Sequence, residues 1–175
     1  MIKRDISENL VNIVYLSIGS NLGNKKNNIE KAKYLLETNK IKIVKSSNIY
    51  ETHSWPNKNH PKFYNIVVKI ITQLKPLNLF LTIKNIEKKL GRKKSKANSP
   101  RTCDIDILDY KGFSCKLVVN NDKLLIPHSR LHNRNFVLFP LFEVDKNWKH
   151  PLKKTKIQDL IRNLDNSSLY SIKQI

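Results

Sequence analysis

Apolar residues fall into short segments whose spacing changes along the chain. Residues 13–19 form a β-branched run closed by turn residues, which predicts a buried strand. Apolar side chains then recur at three- and four-residue spacing, as expected for one face of an amphipathic helix: Ile29, Ala32, Leu35 and Leu36. The first forty residues therefore predict a strand, a turn and a helix that packs on a sheet.

Strand-like alternation and helix-like three- and four-residue spacing both recur through the middle of the chain. Residues 41–50 alternate apolar and polar side chains, and residues 63–71 are rich in β-branched and aromatic residues, so both segments predict strands. A second helix is predicted from Pro76, which suits a first helical turn, up to Gly91, which suits a helix end. Residues 103–110 predict a fourth strand that carries acidic side chains on one face.

The order strand, helix, strand, strand, helix, strand is that of a ferredoxin-like α+β sandwich. We expect an antiparallel sheet with helices on one face, plus a C-terminal hairpin (117–119 and 124–126) and a short helix over 136–142, followed by a polar tail after Asp145. A length of 175 residues suits one core. We therefore expect residues 1–12 to be a polar N-terminal extension and 13–175 to be a single domain.

The net charge of +19 raises the alternative of a nucleic-acid-binding protein. Of the 33 basic residues, 27 are Lys and 6 are Arg, and no Arg-rich patch is interleaved with aromatic residues. We expect small-molecule partners rather than nucleic acid. No apolar run is long enough for a membrane span, so we expect a cytoplasmic protein that does not bind a membrane, with Cys103 and Cys115 as reduced thiols.

Asp104 and Asp106 form the sharpest local signal for chemistry. Side chains two apart on a strand project from one face, with backbone positions about 6.6 Å apart. A divalent cation would relieve the repulsion between two such carboxylates, and Mg²⁺ prefers a few carboxylate oxygens together with water and substrate phosphates. The alternative is an exposed strand face with two solvated acids.

A basic loop, residues 92–101, leads directly into the strand that carries the two aspartates. Nucleoside triphosphates need this combination, because metal ions bridge the phosphate oxygens and Arg or Lys neutralises charge in the transition state. Taken alone, such a loop is more often a solvated run of charge than a phosphate clamp, but the adjacency of Arg101 to Asp104 favours the clamp. The chain has no P-loop motif, so a nucleotide would be held in another way.

Several short motifs, in order and spread over residues 13–145, resemble the 6-hydroxymethyl-7,8-dihydropterin pyrophosphokinases of folate biosynthesis. They are IGSNLG at 18–23, YET at 50–52, FYN at 63–65, PRTCDIDI at 100–107, PH at 127–128 and NRNF at 133–136. The resemblance implies a monomeric enzyme that transfers diphosphate from ATP to a pterin alcohol and releases AMP. It also implies the ferredoxin-like fold, which the periodicity predicts independently.

The resemblance implies roles for residues around the aspartate pair. Asp104 and Asp106 would hold two Mg²⁺ ions, and Arg92 and Arg101 would act with them in catalysis. The residues implied in ATP binding are Glu87, Lys94, Arg101, Ile107, His128 and Arg134.

For the pterin, the resemblance implies that Phe63 and Phe136 stack on opposite faces of the ring while Asn65 reads its edge. Thr52, His53 and Trp55 would line the remaining wall. The alternative is that both phenylalanines are core residues and Asn65 caps a strand.

One stretch departs from the family. Members usually read R-W-G-P-R before the aspartates, whereas residues 97–101 here read A-N-S-P-R. Closing lids complete such sites, so we expect slower loop closure or weaker ATP binding than in a typical member. A family member that retains the fold without the activity is a further alternative.

Overall fold

The computed structural model describes residues 11–93, 98–119 and 122–175. The helices in these segments are α1 (Lys25–Thr38), α2 (Pro76–Lys89), a 3-10 turn (Leu131–Asn133), α3 (Asn135–Val144), α4 (Ile157–Arg162) and α5 (Asn166–Tyr170). The strands are β1 (Asn12–Ser20), β2 (Lys42–Ser46), β3 (Tyr50–Thr52), β4 (Phe63–Thr72), β5 (Asp104–Tyr110), β6 (Cys115–Val119), β7 (Asp122–Ile126) and β8 (Ile172–Gln174). Across the described segments, every helix is too short or too polar to cross a bilayer.

The main sheet is antiparallel and runs in the order β5-β1-β4-β3-β8, with β2 also paired to β4. β5 forms an edge of this sheet. β1 is the inner strand next to that edge: Asn12 to Ser20 pair with β4 on one side, and most of β5 pairs on the other. β6 and β7 form a separate two-stranded hairpin, which confirms the predicted hairpin.

Alternate side chains of β1 enter two different cores. Val14, Leu16 and Ile18 are fully buried against the apolar faces of α1 and α2, as their period of two requires. Asn24 caps α1 by accepting a hydrogen bond from the Asn27 backbone N–H at 3.0 Å. The prediction of two helices on one face of an antiparallel sheet is confirmed for this side.

The opposite face is also covered, by short helices that the prediction included without assigning them to a face. Tyr15, Val67 and Leu108 pack there against α3 and α4 in a second cluster with Trp148. The helix predicted over 136–142 is α3, and its apolar residues bury most of this face. The strand runs are apolar on both faces because both faces are covered.

The predicted strand over 41–50 is two strands. β2 pairs with residues 68–71 of β4 and β3 pairs with residues 63–65 of the same strand. Between them Ser47 replaces the regular ladder: its N–H donates to Val67 O at 2.9 Å and its Oγ accepts from Val67 N at 3.0 Å. Local side-chain hydrogen bonding of this kind competes with the strand ladder.

The predicted polar tail is also structured. After Asp145 the chain forms α4 and α5, and it ends in β8, which pairs with β3. Ile157 and Leu160 of α4 are buried in the second core, although the segment is polar on average. The predicted boundary at residue 12 falls on the first residue of β1, and residues 1–10 lie outside the described segments.

The full burial of β1 side chains in the first core predicts a large loss of stability if a cavity is opened there. Replacing Leu16, which is fully buried, by Ala should lower the free energy of unfolding by about 2–5 kcal/mol, measured by urea unfolding. Val44→Ala, on the exposed side of β2, is the matched control and should change it by roughly 0.5 kcal/mol. Equal losses in the two variants would contradict the assignment of the core.

Candidate active site

β5 presents both predicted aspartates on the same side of the sheet edge. Asp104 pairs with Gly19 and Asp106 with Ser17 of β1, while Ile105 between them points into the first core. The Asp104 side chain is 18% exposed and that of Asp106 is 35% exposed, so the pair lies at the surface of the edge strand. The predicted side-by-side arrangement is therefore present.

The end of α2 brings a first guanidinium to this pair. Gly91 adopts a positive φ of 83°, and the turn it makes places the Arg92 N–H 3.0 Å from Glu87 O. Arg92 Nη1 donates to Asp104 Oδ1 at 2.5 Å and also contacts Glu87 Oε1. A glycine at the helix end thus turns the chain so that Arg92 bridges two carboxylates.

Glu87 is buried on α2 and completes the edge of the sheet. Its Oε1 accepts the backbone N–H of Ile105 at 2.7 Å, so a side chain satisfies a strand N–H that points away from β1. Burial raises the pKa of Glu87, whereas Lys84 and Arg92 oppose that rise. Lys84 Nζ is 2.9 Å from Glu87 Oε2.

Arg101 supplies a second guanidinium from the loop before β5. Its Nη2 donates to Asp104 Oδ2 at 2.5 Å, so the two oxygens of this carboxylate are each bonded by a different arginine. Burial would raise the pKa of Asp104, but the charges of Arg101 and Arg92 and their hydrogen bonds lower it. Asp104 is therefore negatively charged near neutral pH.

Asp106 faces a different pair of basic groups. Its Oδ2 lies 3.8 Å from His128 Nε2 and 3.7 Å from Arg134 Nη1, both beyond normal hydrogen-bond length. Arg134 directly precedes α3, and His128 follows β7 with its backbone N–H bonded to Leu108 O at 3.0 Å. The second carboxylate thus faces one guanidinium and one imidazole without being tightly bonded to either.

His128 is neutral near pH 7. Burial lowers its pKa, the Asp106 carboxylate opposes the shift, and the charges of Arg134 and Arg130 add to it. Its Nδ1 accepts the Arg130 backbone N–H at 3.2 Å, so the proton of the neutral ring belongs on Nε2. That nitrogen points towards Asp106 and can donate to an anionic ligand.

A cleft of about 90 Å³ lies along the free edge of β5, between α2 and β7. It is lined by Phe80, Lys84, Ile105, Asp106, Ile107, Lys123, Leu124, Leu125 and His128. Ile107 lies two residues beyond Ile105, so its backbone N–H points towards the same edge. Sequence reasoning missed the cleft residues of α2 and β7, because no motif links them to β5.

Two aromatic rings lie beside the arginines. The Arg101 guanidinium carbon is 5.2 Å from the centre of the Phe63 ring, and that of Arg134 is 5.4 Å from the Phe136 ring. Phe63 is half-buried and belongs to neither core cluster, whereas half-buried Phe136 packs against the second cluster. Both rings therefore keep exposed surface next to a cation.

Asn65 and Thr52 are buried together on β4 and β3. Asn65 Nδ2 donates to Thr52 Oγ1 at 3.0 Å, and a Cβ at Gly19 would approach Asn65 Oδ1 to 3.0 Å. Gly19 thus leaves room for the amide oxygen. His53 is exposed and Trp55 is 71% exposed, so the free protein does not bring them against Asn65, while Lys94 lies outside the described residues.

The aspartate pair suits a hard divalent metal by its chemistry. Two carboxylates project from one strand face, and Asp106 borders an open cleft where water and phosphate oxygens can complete the coordination. Within the described segments no three His, Cys, Asp or Glu side chains gather into a metal-binding group. The donor set therefore fits Mg²⁺ shared with a ligand rather than a closed structural site.

Carboxylates among guanidinium groups, beside a cleft and two aromatic rings, have the chemistry that a phosphate-bearing ligand requires. Residues 15–146 match the model of the 7,8-dihydro-6-hydroxymethylpterin-pyrophosphokinase (HPPK) family. The chain therefore belongs to the HPPK family. This finding confirms the resemblance drawn from the motifs.

Several curated proteins are similar to the chain. The 2-amino-4-hydroxy-6-hydroxymethyldihydropteridine pyrophosphokinase of Aquifex aeolicus is 39% identical over 146 residues, which cover 83% of this chain and 88% of that protein. The enzyme of the same name from Bacillus subtilis is 35% identical over 134 residues, with 76% and 78% covered. A Pneumocystis carinii folic acid synthesis protein is 39% identical over 148 residues, but this chain spans only 20% of it.

A solved structure supports the fold. Wild-type Plasmodium falciparum HPPK-DHPS with pterin and p-hydroxybenzoate aligns with a TM-score of 0.76 at 19% identity. The alignment covers 96% of this chain and 46% of that one. At this identity the similarity shows a shared mixed α and β fold with an antiparallel sheet.

The lowered pKa of Asp104 predicts a pH-dependent contribution to stability. A folded-state pKa below the unfolded value of about 3.9 stabilises the folded protein above that pH, and this stabilisation is lost as the pH falls through the folded pKa. The difference in unfolding free energy between wild type and Asp104→Asn should therefore shrink as pH falls from about 6 towards 3. Urea unfolding at several pH values measures it.

Asp159→Asn is the control, because Asp159 forms an exposed ion pair with Arg162 at 3.5 Å. Exposed pairs contribute little, so this variant should follow the wild-type profile closely. A gap between wild type and Asp104→Asn that stays constant over the whole range would contradict the ionic role of Asp104.

Proposed function

We propose that this chain transfers diphosphate from ATP to the hydroxymethyl group of 6-hydroxymethyl-7,8-dihydropterin and releases AMP, a step of folate biosynthesis. The family match and the names of the Aquifex and Bacillus relatives support this activity. The observation that carries it is the placement of Asp104 and Asp106 side by side among Arg92, Arg101 and Arg134.

The basic groups are assigned to the phosphates of ATP. Arg92 and Arg101 neutralise the Asp104 carboxylate in the free protein. Both could turn to phosphate oxygens if that carboxylate held Mg²⁺. His128 and Arg134 stand near Asp106 without short bonds, so they are already available to an anion. Lys94 keeps its proposed role in ATP binding as a prediction.

Asp104 and Asp106 are the residues that would hold two Mg²⁺ ions. When bound, the ions supply charge neutralisation on the phosphates and a template for both substrates. Glu87 supports the two aspartates indirectly, because it accepts a hydrogen bond from the Ile105 backbone between them and forms an ion pair with Arg92. Ile107 is assigned to the nucleotide through its backbone at the cleft.

The reaction balances without a covalent enzyme intermediate. The pterin hydroxymethyl oxygen attacks the β-phosphorus, the bond from that phosphorus to the oxygen bridging it to the α-phosphorus breaks, and AMP leaves as the hydroxyl proton is released. Residues of the protein orient the two substrates and stabilise the spread charge, which is where catalysis of phosphoryl transfer lies. Neutral His128 can donate its Nε2 proton in a hydrogen bond to a phosphate oxygen.

The pterin is assigned to the surface between β3, β4 and α3. Phe63 and Phe136 offer exposed ring surface for stacking, and Asn65 with Thr52 supplies polar groups for the ring edge. His53 and Trp55 project outward in the free protein and would form the remaining wall if the loop 53–62 closes over the ring. Such closure would exclude water from the reacting groups.

We further propose that the fold is a ferredoxin-like sandwich. Two observations support it: the strand order β5-β1-β4, with β2 and β3 both paired to β4, and the packing of α1 and α2 on one face of the sheet. The second face, covered by α3 and α4, is an addition to that plan. The protein is proposed to act as one domain over residues 13–175 and as a cytoplasmic monomer. Gel filtration with light scattering tests the monomer.

Substituting either aspartate should abolish the reaction. Asp104→Ala and Asp106→Ala are each expected to lower kcat by about a thousandfold or more, because charge neutralisation at the phosphates is the main catalytic effect. The measurement is AMP formation from ATP and Mg²⁺ with and without the pterin alcohol. Removal of Mg²⁺ by EDTA should stop the wild-type reaction, and added Mg²⁺ should restore it.

Asp159→Ala, an exposed substitution on α4, is the control and should keep wild-type activity. Absence of pterin-dependent AMP from the wild-type protein would refute the proposed function. Activity that survives both Asp104→Ala and Asp106→Ala would refute the assignment of the site.

Loss of the Phe63 ring should weaken pterin binding selectively. Phe63→Leu keeps an apolar side chain but removes the stacking, worth about 0.5–1.5 kcal/mol, so the KM for pterin should rise roughly 2- to 10-fold. The KM for ATP should change little. Phe113→Leu, an exposed phenylalanine elsewhere, is the matched control, and an unchanged pterin KM in Phe63→Leu would contradict the stacking role.

A further inference from the structure

Asn21 follows directly after β1 and is only 1% exposed. A buried amide side chain is costly unless its donors and acceptor are bonded. Its position joins two parts of the proposed site that are distant in sequence: the loop 53–62 and the residue Arg101. Asn21 belongs to the IGSNLG motif at 18–23, for which the family resemblance implies no residue role.

Asn21 bonds the backbone of Arg101 at two points. Its Oδ1 accepts the Arg101 N–H at 2.7 Å, and its own backbone N–H donates to Arg101 O at 3.1 Å. Two bonds to one residue fix both the position and the direction of the chain there. The Arg101 side chain, which bonds Asp104 and lies beside the Phe63 ring, therefore starts from an anchored backbone.

The amide nitrogen of Asn21 holds the loop 53–62. Asn21 Nδ2 is 3.2 Å from Ser54 Oγ and 3.2 Å from Pro61 O. Ser54 Oγ also donates to Pro61 O at 2.6 Å, so the two ends of the loop close on each other at Asn21. The loop that carries His53 and Trp55 is thus fastened to the same side chain as Arg101.

Only an amide at position 21 satisfies both partners. Aspartate would accept from the Arg101 N–H but could not donate to Pro61 O, and an apolar residue would serve neither. Because an unmatched buried group is destabilising, movement of the loop and movement of Arg101 are not independent.

We propose that Asn21 is a positioning residue that links the loop 53–62 to Arg101, so that closing of the loop on the pterin also holds the Arg101 guanidinium for the phosphates of ATP. The inference rests on the proposed function, since it assigns the two linked parts to the two substrates. It makes Asn21 responsible for coupling between substrates without contact to either one.

The test measures how strongly the two ligands affect each other's binding. Calorimetry with Mg²⁺ and a non-hydrolysable ATP analogue gives the Kd with and without the pterin alcohol, and the ratio of the two is the coupling factor. We expect Asn21→Asp and Asn21→Ala to reduce this factor at least fivefold towards 1. They should also lower kcat roughly 10- to 100-fold, because small displacements of catalytic groups are costly.

Ser54→Ala separates the two halves of the link. It removes only a loop contact and leaves both bonds of Asn21 to Arg101, so it should raise the KM for pterin and reduce the coupling factor while lowering kcat by less than about threefold. If the Asn21 variants do not fold, the coupling factor of Ser54→Ala alone tests the link between the loop 53–62 and Arg101.

Asn28→Ala is the matched control. Its amide likewise makes two hydrogen bonds near the end of β1, to Ser20 Oγ at 3.2 Å and Leu22 O at 2.9 Å, but it does not contact Arg101 or the loop 53–62. It should keep the wild-type coupling factor. A wild-type factor in folded Asn21→Asp or in Ser54→Ala would overturn the inference, as would an equal loss in Asn28→Ala.

Refutation of the linking role of Asn21 can be distinguished from refutation of the proposed function. If wild-type protein forms no pterin-dependent AMP, the function itself is refuted. If wild-type protein is active and the Asn21 variants keep full coupling, only the linking role of Asn21 is refuted.

Discussion

The carboxylate of Asp104, held on one side by Arg92 and on the other by Arg101, is the interaction on which the site depends. Three segments meet there: the end of α2, the loop before β5 and β5 itself. The acid is largely buried, and the two guanidinium charges keep it ionised. In the free protein, the carboxylate that we propose as a metal ligand is therefore paired with the cations that we propose as phosphate ligands. Under this proposal, metal and substrate would replace one set of ionic contacts by another.

The edge position of β5 makes this exchange possible. An inner strand would have both sides occupied by neighbouring strands, whereas the outer side of β5 is open to the cleft, and Glu87 satisfies the Ile105 N–H that points there. Helices pack on both faces of the sheet, and Arg134, directly before α3, lies opposite Asp106. A strand thus positions the two carboxylates, whereas Arg92 and Arg101 come from the segments that connect α2 to β5.

Period and spacing were sufficient to predict β1, β4, β5, the β6–β7 hairpin, the two long helices and the shared side of Asp104 and Asp106, because these properties are local. The split of residues 41–50 was not predictable, since it depends on how Ser47 bonds Val67 across the sheet. The second helical face was missed for a related reason: a strand that is apolar on both faces does not say which later segment covers it. Likewise, no spacing rule connects Asn21 with Arg101, which lie 80 residues apart.

Calorimetric binding of a non-hydrolysable ATP analogue, with and without Mg²⁺, tests the central claim most directly. If the aspartate pair shares a metal with the nucleotide, wild-type protein will bind the analogue at least tenfold more tightly with Mg²⁺, and Asp106→Asn will lose this dependence. The Asp104→Asn protein should lose it as well. Equally tight binding in the absence of Mg²⁺, or full Mg²⁺ dependence in both asparagine variants, would contradict the account.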